Sequence, residues 1–190
     1  MELIKSACRA LTFSHRLEKA RPKLNRVAYA WTRHPEQAED LVQEAMYRAL
    51  QKRHQLRDME AMDAWLVRIL HGLWCDQLRK TYPNVELEDL VEDWEKSPPH
   101  VHSDRELVHR VRRAVSALPV GQRTVLTLVD LEEFSYQTVA ELLDVPIGTV
   151  MSRLCRARRQ LKVLLADLAE SELGVADPEN RTERHLRRVV

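Results

Sequence analysis

The chain has 190 residues, a formal net charge of +1, 44% hydrophobic and 31% charged residues, and only four glycines. This length allows one domain or two small ones, and the scarcity of glycine disfavours glycine-rich phosphate loops and multi-turn β-sandwiches. No apolar run approaches the ~20 residues that span a bilayer, no secretory signal is recognised, and the three scattered cysteines have no metal-ligand spacing. We therefore expect a helical, cytoplasmic protein without direct membrane insertion.

The first half of the chain predicts three amphipathic helices, over residues 17–32, 35–53 and 62–80. In the second of these, apolar residues recur at the i, i+3, i+4 spacing of one helix face, from Ala38 to Leu50. Pro35 suits the first helical position, and acidic residues in the first turn complement the helix dipole. Because the three helices can share one core, residues 1–82 are predicted to form a small helical bundle of three or four helices.

An acidic segment follows, with seven acidic residues and one basic residue between Thr81 and Asp104. Its prolines and weak periodicity predict a flexible linker over residues 83–104, which allows one short helical turn at 87–94. Four more helices are predicted over 104–118, 121–131, 136–143 and 146–168. They would form a second domain, residues 105–170, followed by a basic tail, residues 171–190, so that the predicted fold class is all-α with two small domains.

The last two predicted helices have the features of a helix-turn-helix. Ser135 can cap the first helix, Asp144 can adopt the left-handed turn conformation, and Pro146 suits the start of the second helix. That second helix has a predicted buried stripe and, between Met151 and Lys162, five basic residues and no acidic one; the stripe is Val150, Leu154, Ala157, Leu161 and Leu164. A basic run is usually only a solvated helix face, but cap, turn and basic face together predict a helix that enters the major groove of DNA.

Three segments carry a family resemblance. Residues 117–161 contain "LPVGQR" and "GTVMSRLCRAR" and closely resemble region 4 of bacterial sigma factors of the extracytoplasmic-function (ECF) type. Residues 38–50, "AEDLVQEAMYRAL", resemble region 2.2 of that family, and residues 64–80, "AWLVRILHGLWCDQLRK", resemble its region 2.3–2.4 helix. The resemblance implies a transcription initiation factor that binds core RNA polymerase and recognises the minus-ten and minus-thirty-five promoter elements.

The resemblance also implies roles for individual residues of the first domain. Docking on the clamp helices of the largest polymerase subunit would fall to Asp40, Leu41, Gln43 and Glu44, and the family resemblance also implies a contact with the polymerase flap, for which no residue is assigned. The loop over 52–63 corresponds to the family's loop that captures a flipped base of the minus-ten element, which requires the protein to replace lost base stacking. Minus-ten contacts would come from Arg53, His54, Gln55, Arg57, Trp65, Arg68, His71, Asp76, Arg79 and Lys80. Gly72 stands where the family commonly has Asn, and this departure is expected to alter promoter melting.

In the second domain the resemblance implies contacts with the minus-thirty-five element from Ser135, Tyr136, Thr149, Met151, Ser152, Arg153, Cys155, Arg156 and Arg158. Met151 replaces a commonly basic residue, so that base readout there is expected to be apolar or shape-based, for example against a thymine methyl group. Arg153 could instead be a structural ion-pair former. An anti-sigma partner is also implied, and the acidic linker is expected to discourage DNA binding by the free protein.

Two other functions remain open at this stage. A plain helix-turn-helix regulator would leave residues 38–80 unexplained, and a sigma-like mimic that sequesters an anti-sigma factor would not need its DNA-facing residues. An enzyme is disfavoured because no catalytic, metal or cofactor site is recognised; His100 and His102 lie in a proline-flanked segment without a nearby cysteine. The tail carries four arginines with no assigned role, namely Arg181, Arg184, Arg187 and Arg188.

Overall fold

The computed structural model describes residues 2–86, 90–91 and 106–166, with side chains from 11 in the first range and from 110 in the last. The regular structure in these ranges is helical, and no strand occurs in them. The α-helices are α1 (Glu2–Thr32), α2 (Pro35–Gln51), α3 (Met62–Thr81), α4 (Glu106–Ser116), α5 (Val120–Leu126), α6 (Tyr136–Leu143) and α7 (Ile147–Leu164). The chain divides into two compact units, residues 1–77 and 78–190. The predicted all-α fold class is confirmed, whereas most of the predicted linker and the whole basic tail lie outside the described residues.

The first unit is built on apolar stripes from α1, α2 and α3. α1 packs along α2, and each helix buries one face almost completely. The fully buried side chains include Leu24, Val27 and Trp31 of α1, Leu41 and Ala45 of α2, and Leu66 and Leu70 of α3. Removing this much apolar surface from water is the main stabilising term for a bundle of this size.

α1 begins fifteen residues earlier than the periodicity predicted, at Glu2 instead of Leu17. Phe13, one turn before Leu17, is also buried, so the apolar stripe extends upstream. Pro22 lies inside this helix and cannot donate to the carbonyl of Glu18. Both residues are exposed, so water can satisfy that carbonyl, which is why the helix tolerates the proline.

In the second unit, α5 and α6 pack on α7, and α4 also contacts α7. The junction between α4 and α5 is fastened by a buried guanidinium: Arg123 is fully buried, and its Nη1 donates to the carbonyl oxygen of Ser116 at 3.2 Å. Because Ser116 is the last residue of α4, this bond satisfies a carbonyl at a helix end that has no partner in the helix itself.

The predicted single helix over 121–131 is in fact α5 followed by π-helical turns over Thr127–Leu131. The N–H of Glu132 bonds to the carbonyl of Thr127 at 3.1 Å, five residues back. The hydroxyl group of Thr127 donates to the carbonyl of Arg123 at 2.8 Å. The wider turns change the direction in which Asp130 and its neighbours point, compared with a continuous α-helix.

The helix-turn-helix prediction is confirmed in its local geometry. The N–H of Thr138 donates to Ser135 Oγ at 3.0 Å, which caps α6. Asp144 ends α6 in the left-handed conformation, with φ 57° and ψ 48°, and α7 begins after Pro146. Four of the five predicted stripe residues of α7 are buried, but Leu164 is 43% exposed, because it lies in the last turn beyond the packed helices; residues 167–168 of the predicted helix lie outside the described ranges.

Candidate polymerase and nucleic-acid interfaces

α2 presents a polar face opposite its buried stripe. Asp40, Gln43 and Glu44 are exposed on this face, and the carboxylate of Glu44 accepts a hydrogen bond from Arg48 Nε at 2.7 Å, one turn away. Both side chains of that pair are more than 40% exposed, so the pair adds little to stability and leaves Glu44 available to a partner.

Two apolar side chains extend this α2 face in a way that the sequence did not predict. Tyr47 is 58% and Leu50 is 41% exposed, and both follow Gln43 at helical spacing. Leu50 had been placed in the buried stripe, which is wrong because the stripe ends at Ala49. Leu41 is fully buried, so its predicted contact with polymerase is also corrected: it belongs to the core beneath the face.

The loop between α2 and α3 has an anchored part and an exposed part. In the anchored part, Arg16 Nη1 of α1 donates to the carbonyl oxygen of Met59 at 3.0 Å and to Glu60 Oε1 at 3.1 Å. The N–H of Glu60 donates to Asp58 Oδ1 at 2.9 Å, which closes a tight turn. Lys23 Nζ of α1 reaches Asp63 Oδ2 at 3.0 Å. These contacts tie the second half of the loop to α1.

The exposed part of the loop holds four predicted minus-ten residues. Arg53, His54 and Gln55 form a short 3₁₀ turn after α2, and Arg57 follows it. All four side chains are exposed, and within the described part of the chain none of them forms an ion pair. The loop therefore presents donors and flat side chains from a turn whose far end is fixed.

Two rings of α3 that are predicted to stack on the melted DNA strand are partly buried against other aromatic rings. Trp65 meets Phe13 edge to face, with ring centroids 6.3 Å apart. The ring of His71 stands edge to face against Trp31 and Trp74, which stack on each other at 5.0 Å. Both predicted residues are half-buried, so only part of each ring is open to a base.

The other predicted minus-ten residues of α3 are exposed, and they are Arg68, Asp76, Arg79 and Lys80. Gly72 lies on the same exposed surface. A Cβ built on Gly72 would meet no atom within 4 Å apart from its chain neighbours and the local helix backbone. Packing therefore does not require glycine at this position.

On α7, the predicted minus-thirty-five residues cover the face opposite the buried stripe. Met151 is 53% exposed, and Cys155 and Arg156 are exposed, whereas Thr149, Ser152 and Arg153 are half-buried. Ser152 Oγ donates to the carbonyl oxygen of Thr149 at 3.0 Å, so its hydroxyl group remains able to accept a hydrogen bond.

The two residues at the start of α6 that are predicted to contact the minus-thirty-five element differ in how available their side chains are to DNA. The hydroxyl group of Ser135 accepts the N–H of Thr138 and lies 2.8 Å from the hydroxyl group of that residue. Tyr136 is 36% exposed. Ser135 therefore acts first as a cap, and Tyr136 has the more available side chain.

Arg158 is not a free phosphate-binding side chain. Its Nη2 donates to Asp130 Oδ1 at 2.6 Å and its Nε donates to Asp130 Oδ2 at 3.1 Å, while the side chain of Asp130 is 9% exposed. This two-point contact joins α7 to the π-helical turns and gives Arg158 a structural partner in addition to its predicted phosphate contact.

Sequence reasoning missed one exposed residue of α7. Ile147 is 43% exposed and lies one turn before Met151, which makes the exposed face more apolar at its start. Arg159, which the sequence places in the basic run on the outer face of this helix, is exposed and, in the described ranges, forms no ion pair.

The described residues contain neither a cluster of metal ligands nor a membrane-spanning helix. In that part of the chain no three His, Cys, Asp or Glu side chains are grouped so as to hold a metal ion. No helix among those residues is long and apolar enough to cross a bilayer.

Comparison with protein families matches both units. Sigma-70 region 2 matches residues 17–82, and sigma-70 region 4 matches residues 109–161. The ECF RNA polymerase sigma factor SigM of Mycobacterium tuberculosis is 35% identical over 148 residues, which cover 77% of this chain and 73% of the relative. EcfG of Rhodopseudomonas palustris, another ECF sigma factor, is 35% identical over 157 residues, or 82% of this chain and 86% of the relative.

Solved structures agree with these relatives. The co-crystal structure of the sigma factor RpoE with the anti-sigma factor NepR from Bartonella quintana matches with a TM-score of 0.68 and 30% identity, over 82% of this chain and 97% of that chain. The structure of CnrH with the cytosolic domain of CnrY has a TM-score of 0.61 at 21% identity, which supports the fold alone. The chain therefore belongs to the extracytoplasmic-function family of RNA polymerase sigma factors, which are transcription initiation factors.

Proposed function

We propose that this chain acts by binding core RNA polymerase and the two promoter elements through three separate surfaces. The α2 face comprises Asp40, Gln43, Glu44, Tyr47 and Leu50. The strand face comprises the exposed loop part (Arg53–Arg57) and the exposed side chains of α3. The groove face is the exposed side of α7. The proposal places the protein in the cytoplasm, with its polymerase.

The α2 face suits docking on another protein. It combines polar side chains with two exposed apolar ones, Tyr47 and Leu50. Exposed apolar side chains next to polar ones are typical of protein interfaces, and tyrosine is among the residues that contribute most binding energy. We assign this face to the clamp helices of the largest polymerase subunit.

The strand face suits a melted DNA strand. Arginine and histidine side chains from an anchored loop can contact phosphates and the faces of unstacked bases, and neighbouring cations on α3 extend the track. Base extraction costs a few kcal/mol, so a loop held at one end by Arg16 and Lys23 loses less freedom when a base is captured.

The groove face gives the strongest support for the proposal. α7 buries Val150, Leu154 and Ala157 almost completely. The five basic residues between positions 151 and 162 lie outside that stripe, and this segment contains no acidic residue. A basic helix whose N-terminal turns expose small and apolar side chains fits the major groove, where bases are read by their edges and methyl groups.

An anti-sigma factor is the proposed regulator. The RpoE chain that this protein resembles at 30% identity was crystallised with the anti-sigma factor NepR. A partner of this kind would cover the α2 face or the groove face and so block transcription.

Neither alternative function accounts for both units. A plain helix-turn-helix regulator has no need for the α2 face or the anchored loop. A mimic that only sequesters an anti-sigma factor has no need for a basic α7, yet Arg156 and Arg159 are exposed and, among the described residues, form no ion pair. The promoter-specificity role is therefore favoured.

In vitro transcription tests the proposal. The full chain is added to purified core polymerase with a library of random promoter fragments, and transcript starts are sequenced. We expect initiation at a limited set of sites that share two spaced elements. Polymerase association without any defined start site would favour the mimic, and DNA binding without polymerase association would favour the plain regulator.

Two variants sharpen this test. Arg156→Glu reverses a groove-face charge. It is expected to abolish the dependence of initiation on the minus-thirty-five element, while polymerase association is retained. Gln43→Arg changes the α2 face and is expected to weaken polymerase association. Loss of both properties in either variant would contradict the separation of surfaces.

A further inference from the structure

A thiol and an imidazole lie in contact on α3. Cys75 Sγ is 3.4 Å from His71 Nε2 and 4.0 Å from His71 Nδ1, one helical turn apart. The imidazole is held in place by Trp31 and Trp74, which meet it edge to face with centroids 5.7 and 6.3 Å away. Because those two tryptophans are buried, the imidazole is fixed from the core side and turned toward the thiol.

The surroundings of Cys75 offer a proton acceptor and an approach to the sulfur. A neighbouring imidazole can take the thiol proton, and the thiolate is the nucleophilic form of cysteine. Gly72, three residues earlier, has open space where a side chain would lie, and residues three apart are neighbours on a helix surface. Cys75 itself is half-buried, so a small reagent can reach the sulfur from the side of Gly72.

Cys155 gives an internal reference within the same chain. It is exposed on α7, whereas Cys75 is only partly accessible, and no histidine contact is found for Cys155 among the described residues. If exposure alone governed thiol reactivity, Cys155 would react faster. If the contact with imidazole governs it, Cys75 would react faster.

We propose that Cys75 and His71 form a hydroperoxide-reactive thiol site. In the reaction, His71 accepts the thiol proton and the Cys75 thiolate attacks the nearer oxygen of hydrogen peroxide. The S–O bond forms as the O–O bond breaks, sulfur is oxidised to sulfenic acid, and peroxide is reduced to hydroxide, which takes the proton from His71 to leave water. The reducing agent is the thiol itself and the oxidant is the peroxide.

The consequence for transcription rests on the proposed function. Cys75 lies on α3 between predicted minus-ten residues, so an added oxygen on its sulfur changes the strand face. Oxidation is expected to lower the affinity of the polymerase holoenzyme for a single-stranded minus-ten oligonucleotide. Its affinity for a duplex minus-thirty-five element should not change.

The reactivity test uses the full chain alone and does not depend on its role in transcription. Hydrogen peroxide is added with a dimedone trap at pH 7, and labelling of the Cys75 and Cys155 peptides is followed by mass spectrometry. We expect Cys75 to be labelled at least about tenfold faster, because a positioned imidazole that takes the thiol proton acts as a general base for the attack. Equal labelling, or faster labelling of Cys155, would overturn the proposal.

Two variants isolate the parts of the site. His71→Phe keeps an aromatic ring against Trp31 and Trp74 but removes the proton acceptor, and it is expected to bring the Cys75 rate down to that of Cys155. Gly72→Leu fills the open space without adding a polar group and is expected to slow labelling of Cys75 alone. An unchanged rate in His71→Phe, with the native circular dichroism spectrum retained, would contradict the proposal.

The transcription consequence is then tested separately. Holoenzyme containing Cys75→Ser should bind the single-stranded oligonucleotide equally well before and after peroxide, whereas the wild type should lose affinity. If the labelling result holds and affinity does not change, the thiol site stands and its proposed effect on the strand face is wrong.

Discussion

Asp130 holds Arg158 through two hydrogen bonds of 2.6 and 3.1 Å, which connect the π-helical turns after α5 to the outer side of α7. The carboxylate is almost fully buried, while the guanidinium is 42% exposed. Two-point contacts of this kind fix orientation as well as distance. Arg158 therefore fixes α7 to the π-helical turns, and its charge has a partner within its own unit.

This contact predicts different salt dependences for two arginines of α7. Each phosphate contact that is lost lowers the slope of log affinity against log salt concentration by about one. Arg156→Gln should reduce the slope for a minus-thirty-five duplex by about one, because Arg156 is exposed and has no ion-pair partner among the described residues. Arg158→Gln should leave the slope nearly unchanged. Equal decreases in the two variants would restore Arg158 to the phosphate-binding set.

The same contact predicts a stability effect. Asp130→Asn should lower the free energy of unfolding of the second unit by about 1 kcal/mol, since a charge-assisted pair loses one charge and its partner is partly solvated. Urea denaturation measures this change. The double variant with Arg158→Gln should cost less than the sum of the two single changes; additive costs would mean that the two residues act independently.

Sequence periodicity was sufficient to predict the helices whose apolar stripe faces a single core. The helix-turn-helix is the clearest case, because the Ser135 cap, the left-handed Asp144 and the buried Val150 are each determined by local chemistry. The start of α1 was predicted at Leu17 and not at Glu2, although Phe13 already extends the apolar stripe by one turn upstream.

Contacts between distant parts of the chain could not be predicted from the sequence. Nothing local indicates that Arg16 reaches Met59, or that the turns after α5 widen and present Asp130 to Arg158. Leu41 was assigned to a binding surface by resemblance although its spacing already placed it in the core stripe. The periodicity was the better guide there, because burial is determined by the same helix face that the stripe defines.

Arg16 is predicted to position the minus-ten loop. Arg16→Met keeps the aliphatic stem but removes the bonds to Met59 and Glu60, which frees the second half of the loop. We expect about fivefold weaker binding of a single-stranded minus-ten oligonucleotide by the holoenzyme, or about 1 kcal/mol, the upper end for an exposed ion pair. Fluorescence anisotropy of the labelled oligonucleotide measures this.

Arg21→Met is the matched control for that variant. Arg21 also lies on α1, but its guanidinium is 3.8 Å from Glu39 of α2 and does not reach the loop. Its oligonucleotide affinity should equal that of the wild type. If both variants lose affinity equally, the effect comes from α1 as a whole and Arg16 has no special role.

Gly72 is predicted to cost helix stability for no packing gain. Gly72→Ala should raise the free energy of unfolding of the first unit by up to about 1 kcal/mol, because alanine is the better helix former and the site is open. Thermal unfolding measures the change. A decrease in stability would show that the open space is not available to a side chain.

The same position is predicted to influence promoter melting. Gly72→Asn restores the polar residue common in the family, and we expect it to change the rate of open-complex formation or the preferred minus-ten bases. Permanganate footprinting of the holoenzyme on a selected promoter measures the rate, and the same assay on promoters with substituted minus-ten bases measures the preference. Gly72→Ala serves as the control that separates an effect of helix stability from an effect of the amide group. An unchanged rate and preference in Gly72→Asn would remove Gly72 from the strand face.

Truncation of a side chain in the α2 face and truncation of one in the core beneath it are predicted to affect different properties. Leu41→Ala removes a fully buried side chain and should cost about 2–5 kcal/mol of unfolding free energy, with loss of polymerase binding only as the first unit unfolds. Tyr47→Ala removes a 58% exposed side chain and should leave stability nearly unchanged while weakening polymerase association about tenfold or more, as expected for an interface anchor. Urea denaturation and a competition assay for core polymerase measure the two effects. Wild-type polymerase affinity in Tyr47→Ala would place the docking surface elsewhere on the first unit.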